Sequence, residues 1–152
     1  MIREARLLAV VLAVGSALVL AAAAAPSVVD GATAERLVRL PFRLLCHGIA
    51  SRCLAIGGEP MSLCARCSGI FAGLISGSLL SLALAGRFRM PGIIATILLL
   101  PIVLDGTSQA LGLRESWNTL RLATGFVAGA ASIGWALASI AGNREQLPVA
   151  LP

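Results

Sequence analysis

The sequence predicts an all-α membrane protein, a four-helix transmembrane bundle with an interfacial amphipathic segment between helices 1 and 2. Hydrophobic residues make up 58% of the 152 positions and charged residues 12%, too few to cover the apolar surface of a soluble domain of this length. Apolar runs at 5–25, 65–85 and 117–140 are each long enough, at about 1.5 Å per residue, to cross a hydrocarbon core roughly 30 Å thick. A fourth run, 91–113, is interrupted by Asp105 and Gln109. Residues 1–152 are expected to form one multi-pass membrane domain whose surroundings are the lipid bilayer.

The first run follows Arg3 and Arg6 and ends in small residues before Pro26, as a secretory signal would. It is longer than the roughly 7 to 15 residues of a signal's apolar region, and proline after small residues is a poor cleavage context, so it is read as an uncleaved anchor. In 30–45, Arg36, Arg39 and Arg43 are spaced three and four apart beside Leu37, Leu40 and Leu44, which predicts a segment lying along the interface. Residues 46–63 read as a polar loop containing Gly57, Gly58 and Pro60, and the second span begins directly at Cys64. A basic turn at 86–91 and a short connection at 114–116 separate the later spans, and 142–152 is a tail without predicted structure. Gly69, Gly73 and Gly77 on the second span, and Gly125 and Gly129 on the fourth, form small-residue ladders. Small residues let lipid-embedded helices approach closely, so these are read as contact faces, against the alternative that such ladders arise by chance in Gly- and Ala-rich spans.

The formal charge of +5 comes from twelve arginines, with no lysine in the chain. They sit at helix ends rather than in a basic stripe, and with no Tyr, four Phe and two Trp there is little to stack on bases; nucleic acid is not an expected partner. Snorkelling and lipid headgroups account for them better. A four-span topology puts Arg3, Arg6, Arg87, Arg89 and Arg144 on one side and Arg36, Arg39, Arg43, Arg52, Arg66, Arg114 and Arg121 on the other. The raw count favours the second side as cytoplasmic. The basic N-terminus, which usually dominates, instead predicts the cell membrane with the N-terminus inside and the 46–63 loop extracytoplasmic.

That topology gathers the start of the second helix, the end of the third and the start of the fourth at one face, and the polar residues fall there too. Arg66 opens the second helix; Asp105 and Gln109, four apart on one face with Pro101 and Gly112, end the third; Ser116, Asn118 and Arg121 open the fourth. A carboxylate inside the bilayer costs on the order of 2.5 to 3.5 kcal/mol, so Asp105 is expected to face a partner or a polar cavity, with Arg121 as the obvious partner. The plain reading is a structural ion pair fixing helix register; Gln109 and Asn118 beside it favour a ligand-lining site.

All four cysteines, Cys46, Cys53, Cys64 and Cys67, lie in one short stretch. Cys64-Ala65-Arg66-Cys67 is a C-x-x-C at a helix N-terminus, where the helix dipole and an adjacent arginine favour thiolates. As a metal site it supplies two ligands, and His47 with Cys46 or Cys53 completes the Cys/His set that zinc prefers. As a redox site it would exchange with Cys46 and Cys53 and pass electrons to a quinone, a layout that resembles only in architecture the disulfide-forming quinone reductases and vitamin K epoxide reductases. A third reading is two packed small residues in a structural subunit.

Cys46-His47, Arg52, the Cys64-Ala65-Arg66-Cys67-Ser68-Gly69-Ile70-Phe71 block, Pro101, Asp105-Gly106 with Gln109, and Ser116, Asn118, Arg121 and Thr124-Gly125 together resemble a family of small prokaryotic membrane proteins classed as domain of unknown function 2085. The resemblance covers roughly residues 41 to 130. Gly48 stands where the family has Gln, and Cys53 where it has Ser. The resemblance implies a membrane location and no established reaction. It also implies that Cys53 is the odd member and that Cys46, His47, Cys64 and Cys67 form the metal unit. The predicted site therefore comprises that unit, Asp105 and Arg121 as candidates for catalysis, and Arg52, Arg66, Gln109, Ser116 and Asn118 as candidates for binding an anionic small molecule or lipid headgroup.

Overall fold

With no water in the bilayer core, an apolar run must satisfy its own backbone, and each of the four runs does so as a helix. A computed structural model describes residues 3–27, 32–84 and 90–143. Its long helices are α1 (Arg3–Ala24), α3 (Ala65–Ala83), α4 (Gly92–Ala110) and α5 (Asn118–Asn143), and all four are long and apolar enough to cross a membrane. A short α2 (Ala32–Arg39) and a 3-10 turn (Pro41–Leu44) fill the predicted interfacial stretch. The predicted basic turn at 86–91, apart from Met90 and Pro91, and the tail from 144 onward lie outside the described residues, as do residues 28–31.

The closest helix pair is α3 with α5, and glycine makes it possible. A Cβ on Gly69 or Gly73 would overlap the backbone of Leu122 or Phe126, and one on Gly125 or Gly129 would overlap the backbone of Arg66 or Ile70. The two ladders read from the sequence therefore face each other, backbone on backbone. Helix α1 packs mainly on α3, and its Ala5 and Ala9 share a buried cluster with Ile133 and Leu137 of α5, flanked by Leu74 and Leu82 of α3. At its other end Ala23 joins Phe42, Cys46, Met61 and Leu63 in a second buried cluster, against which Cys64, Cys67 and Phe71 pack. The amino end of α1 thus lies beside the carboxyl half of α5, and its carboxyl end beside the start of α3, the alternating course the sequence predicts.

Helix α4 leans on α5 and scarcely touches α3. Its inward stripe holds the buried Ala95 and Asp105 and the half-buried Ile102, Gly106 and Gln109, whereas Pro101 and Gly112, expected on that face, are exposed. Packing on a single neighbour makes the buried stripe narrower than helix periodicity alone suggests. Gly112 ends the helix in the left-handed region at φ 68°, with the Leu113 N–H donating to Ser108 O (3.0 Å) and the Gly112 N–H to Gln109 O (3.1 Å). The outer surfaces of the spans carry Leu, Ile and Val, as do the exposed Leu37, Leu40, Leu44 and Leu45 around α2.

One local feature departs from expectation. Within 46–63, read as loop, β1 (Cys53–Ile56) and β2 (Glu59–Cys64) form an antiparallel hairpin. Gly57 and Gly58, at φ 62° and 89°, supply the two left-handed residues that a two-residue turn between strands requires. Ile56 pairs with Glu59, Ala55 with Pro60 and, across a bulge, Cys53 with Cys64.

Replacing Gly73 with Leu should force α3 and α5 apart and cost upwards of about 2 kcal/mol. Gly15→Leu, where nothing lies within 4 Å of a built Cβ, should leave the melting transition of the detergent-solubilised protein nearly unmoved. Equal melting temperatures for the two variants would show that the glycine contact does not hold the fold together.

Candidate functional site

The hairpin and the start of α3 bring three sulfurs together. Cys46 follows the 3-10 turn, Cys64 ends β2 as the N-cap of α3, and Cys67 sits in the first turn of that helix. One ligand atom from each lies within 4.8 Å of the other two, and the Cys64 N–H also donates to Cys46 Sγ at 3.4 Å. A tetrahedral zinc with Zn–S near 2.3 Å spaces its sulfurs about 3.8 Å apart, so this group could hold a metal ion after small rotamer changes. Hydrogen bonding from Cys67, so long as that thiol keeps its own proton, lowers the Cys64 pKa to about 5 against the opposing effect of burial.

Two predicted members stand outside that group. His47 is exposed and lines the cavity beside the sulfurs. Cys53 donates its thiol to Ile49 O (3.2 Å), and burial, followed by the neighbouring Cys46 and Cys64, pushes its pKa up. All four cysteines are free.

Asp105, 2% exposed, has different partners from the one expected. Arg66 and Arg114 hold it: Arg66 Nη2 donates to Oδ2 and Arg114 Nη2 to Oδ1, the latter at 2.8 Å. Arg66 extends from the start of α3 and Arg114 turns back over α4 after the Gly112 cap, so both reach the carboxylate before Arg121 can. Arg121, 6% exposed, instead donates through Nε (3.1 Å) and Nη2 (2.8 Å) to Gln109 Oε1 and through Nη1 to Asn118 Oδ1 (3.2 Å). Gln109 is set for this by donating its own Nε2 to Asp105 O at 2.8 Å. Asn118 donates Nδ2 to Ser51 O and Cys53 O, both at 3.2 Å, and so pins the base of the hairpin to α5. Among the described residues neither Arg121 nor Arg52 has a carboxylate partner.

Two cavities open where these groups meet. One of about 220 Å³ is bounded by Cys46, His47, Arg52, Cys64, Arg66 and Arg121. The other, about 610 Å³ and more polar, shares Arg52, Gln109 and Arg121 with it and adds Arg114, Glu115 and the buried Ser116. The predicted site residues therefore converge at one membrane face, with Asn118 acting as a clamp beside the cavities. Sequence reasoning counted Arg114 only as a span-end charge; its signal was the glycine cap at Gly112, which returns the chain toward Asp105.

Asp105→Asn leaves two guanidiniums without their carboxylate. Because Arg66 and Arg114 keep some access to solvent, the expected destabilisation is about 2 kcal/mol, below the cost of breaking a fully buried pair. Arg114→Ala should cost less than about 1 kcal/mol. Complete loss of folding in Asp105→Asn, measured by thermal melting in detergent, would assign this ion-pair group to helix registry.

The family described as "Predicted membrane protein (DUF2085)" matches residues 46–134, the stretch that carries the hairpin, the cysteine group and the arginine-lined cavities. An uncharacterised protein of Methanocaldococcus jannaschii is 41% identical over 91 residues, 58% of this chain and 58% of that protein, so the chain spans little more than half of that relative's length. A second uncharacterised protein, from Methanothermobacter thermautotrophicus, is 33% identical over 94 residues, 61% of this chain and 85% of that protein. No solved structure matches. A chain with four spans and this family's model across more than half its length belongs to the DUF2085 family of membrane proteins.

Proposed function

We propose that this membrane protein binds one zinc ion through Cys46, Cys64 and Cys67 with His47 as fourth ligand, and that the cavities beside it receive an anionic or lipid headgroup ligand. The observation that carries the reading is the mutual approach of three sulfurs within 4.8 Å at one end of the bundle. Zinc binds thiolates in competition with protons, so occupancy should rise with pH as the cysteine group gives up its protons. His47 follows Cys46 directly and lines the adjoining cavity, from which a rotamer change would bring its imidazole toward the sulfurs. Arg52 and Arg121 would hold the anion by charge-assisted hydrogen bonds, with Gln109 and Asn118 fixing the Arg121 fork. Asp105, saturated by two guanidiniums, positions Arg66 and Arg114; it would accept a proton only if a ligand drew one of them away.

Elemental mass spectrometry of the purified protein should find about one zinc per chain with all thiols free under denaturation. Cys64→Ser and Cys67→Ser should lose the metal, and Cys53→Ser should retain it. The second reading, quinone-linked thiol–disulfide exchange, draws on the register that sets Cys53 opposite Cys64. It requires the reverse result: no metal, paired cysteines, and activity abolished in Cys53→Ser.

The site face is proposed to be extracytoplasmic, on the strength of Arg3 and Arg6 at the amino end of α1, the opposite end of the bundle from the cysteines. Glu115→Cys, at an exposed position, should be labelled by a membrane-impermeant maleimide on intact cells. Labelling that needs lysis would reverse the orientation.

A further inference from the structure

The seam between α3, α4 and α5 carries two unlike kinds of cavity, one above the other. At the cysteine face the walls include Arg66 of α3, Gln109 of α4 and Arg121 of α5. In the half of the bundle away from the cysteines, a cavity of about 330 Å³ with almost no polar surface is bounded by Gly77 and Leu80 of α3, Met90 just before α4, Leu98 of α4 and Ala130 of α5. Arg121 and Ala130 stand nine residues apart on one helix, about 13 Å at 1.5 Å per residue. The deep cavity exists because α4 rests on α5 and leaves α3 nearly untouched, while Gly77 and Gly134 present no side chain to it.

Charged residues line the upper cavities, and none lines the deep one. Arg52, Arg66, Arg114 and Arg121 line the two polar cavities, against the carboxylates of Asp105 and Glu115. Asp105 is taken up by Arg66 and Arg114. The buried Arg121 makes its hydrogen bonds to amide oxygens, which orient a guanidinium without neutralising it. An ionised side chain at that depth calls for a counter-charge, and planar guanidinium forks suit phosphate oxygens. A soluble anion would answer the charge and leave the apolar cavity beneath it unexplained; an uncharged lipid would do the opposite.

We infer that this seam binds a membrane lipid ending in a phosphate ester, with the phosphate between Arg52 and Arg121 and the hydrocarbon chain in the cavity bounded by Gly77, Leu98 and Ala130. The inference rests on the anion pocket proposed above and names its ligand class. An excess of two positive charges matches a phosphate monoester dianion, and about 610 Å³ of polar cavity accommodates the head with its water.

The test uses the full chain in dodecyl maltoside micelles, whose headgroup has no phosphate. Hexadecyl phosphate, hexadecanol and inorganic phosphate are titrated in turn, and bound species are counted by native mass spectrometry. Hexadecyl phosphate should be retained and the other two should not. Arg121→Gln should lower its occupancy by about tenfold or more, the loss of a charge-assisted hydrogen bond and of a buried positive charge. Leu98→Trp, which fills the deep cavity, should also lower it, with the melting temperature of each variant confirming the fold. Inorganic phosphate retained as well as hexadecyl phosphate, with Leu98→Trp indifferent, would overturn the lipid and leave the anion pocket standing. Equal retention of hexadecanol would overturn the phosphate. Retention of none would overturn both the lipid and the anion pocket, and zinc measured on the same samples would report separately on the metal half of the proposal.

Discussion

Glycine-to-backbone contact between α3 and α5 sets the position of everything at the cysteine face. Gly69 and Gly73 lie against Leu122 and Phe126, while Gly125 and Gly129 lie against Arg66 and Ile70, so the two helices begin side by side. In lipid there is no hydrophobic drive to bring helices together, and close van der Waals contact along small residues takes its place. The first turn of α3 carries Cys64, Arg66 and Cys67; the first turns of α5 carry Asn118 and Arg121. Fixing this helix pair fixes the sulfurs and the buried guanidinium relative to one another.

Two smaller devices complete the arrangement. The Gly57–Gly58 turn folds the hairpin back so that Cys53 faces Cys64, and Asn118 holds the base of that hairpin through two backbone carbonyls. The Gly112 cap turns the chain after α4 so that Arg114 reaches Asp105. Each is a backbone event that determines which side chain meets which charge.

Much of this was legible in the sequence because the bilayer restricts what the chain can do. Run length and composition gave four helices long and apolar enough to cross a membrane, and alternation of direction placed Cys64, Asp105 and Arg121 at one end of the bundle. Partner choice was not legible. Helix spacing made Arg121 the natural mate of Asp105, but Arg66 and Arg114 arrive from outside α5, and their reach depends on turns that periodicity does not describe. The hairpin was missed for a similar reason: polar composition and glycine suggested loop, whereas two consecutive glycines between short runs containing Leu54, Ile56, Met61 and Leu63 were the turn signal. His47 lines the cavity beside the sulfurs, a placement that depends on side-chain rotamer and that residue spacing does not describe.

The tie between Arg66 and Asp105 also bears on how the protein enters the membrane. Helix α4 carries an ionised carboxylate into the bilayer, at a cost on the order of 2.5 to 3.5 kcal/mol for a lone segment. Its counter-ion belongs to α3, which precedes it in the chain and emerges from the ribosome first. The order of segments along the polypeptide thus places the counter-ion ahead of the carboxylate, so that α4, apolar enough to span by itself, can meet a partner for its one charge within the chain already made.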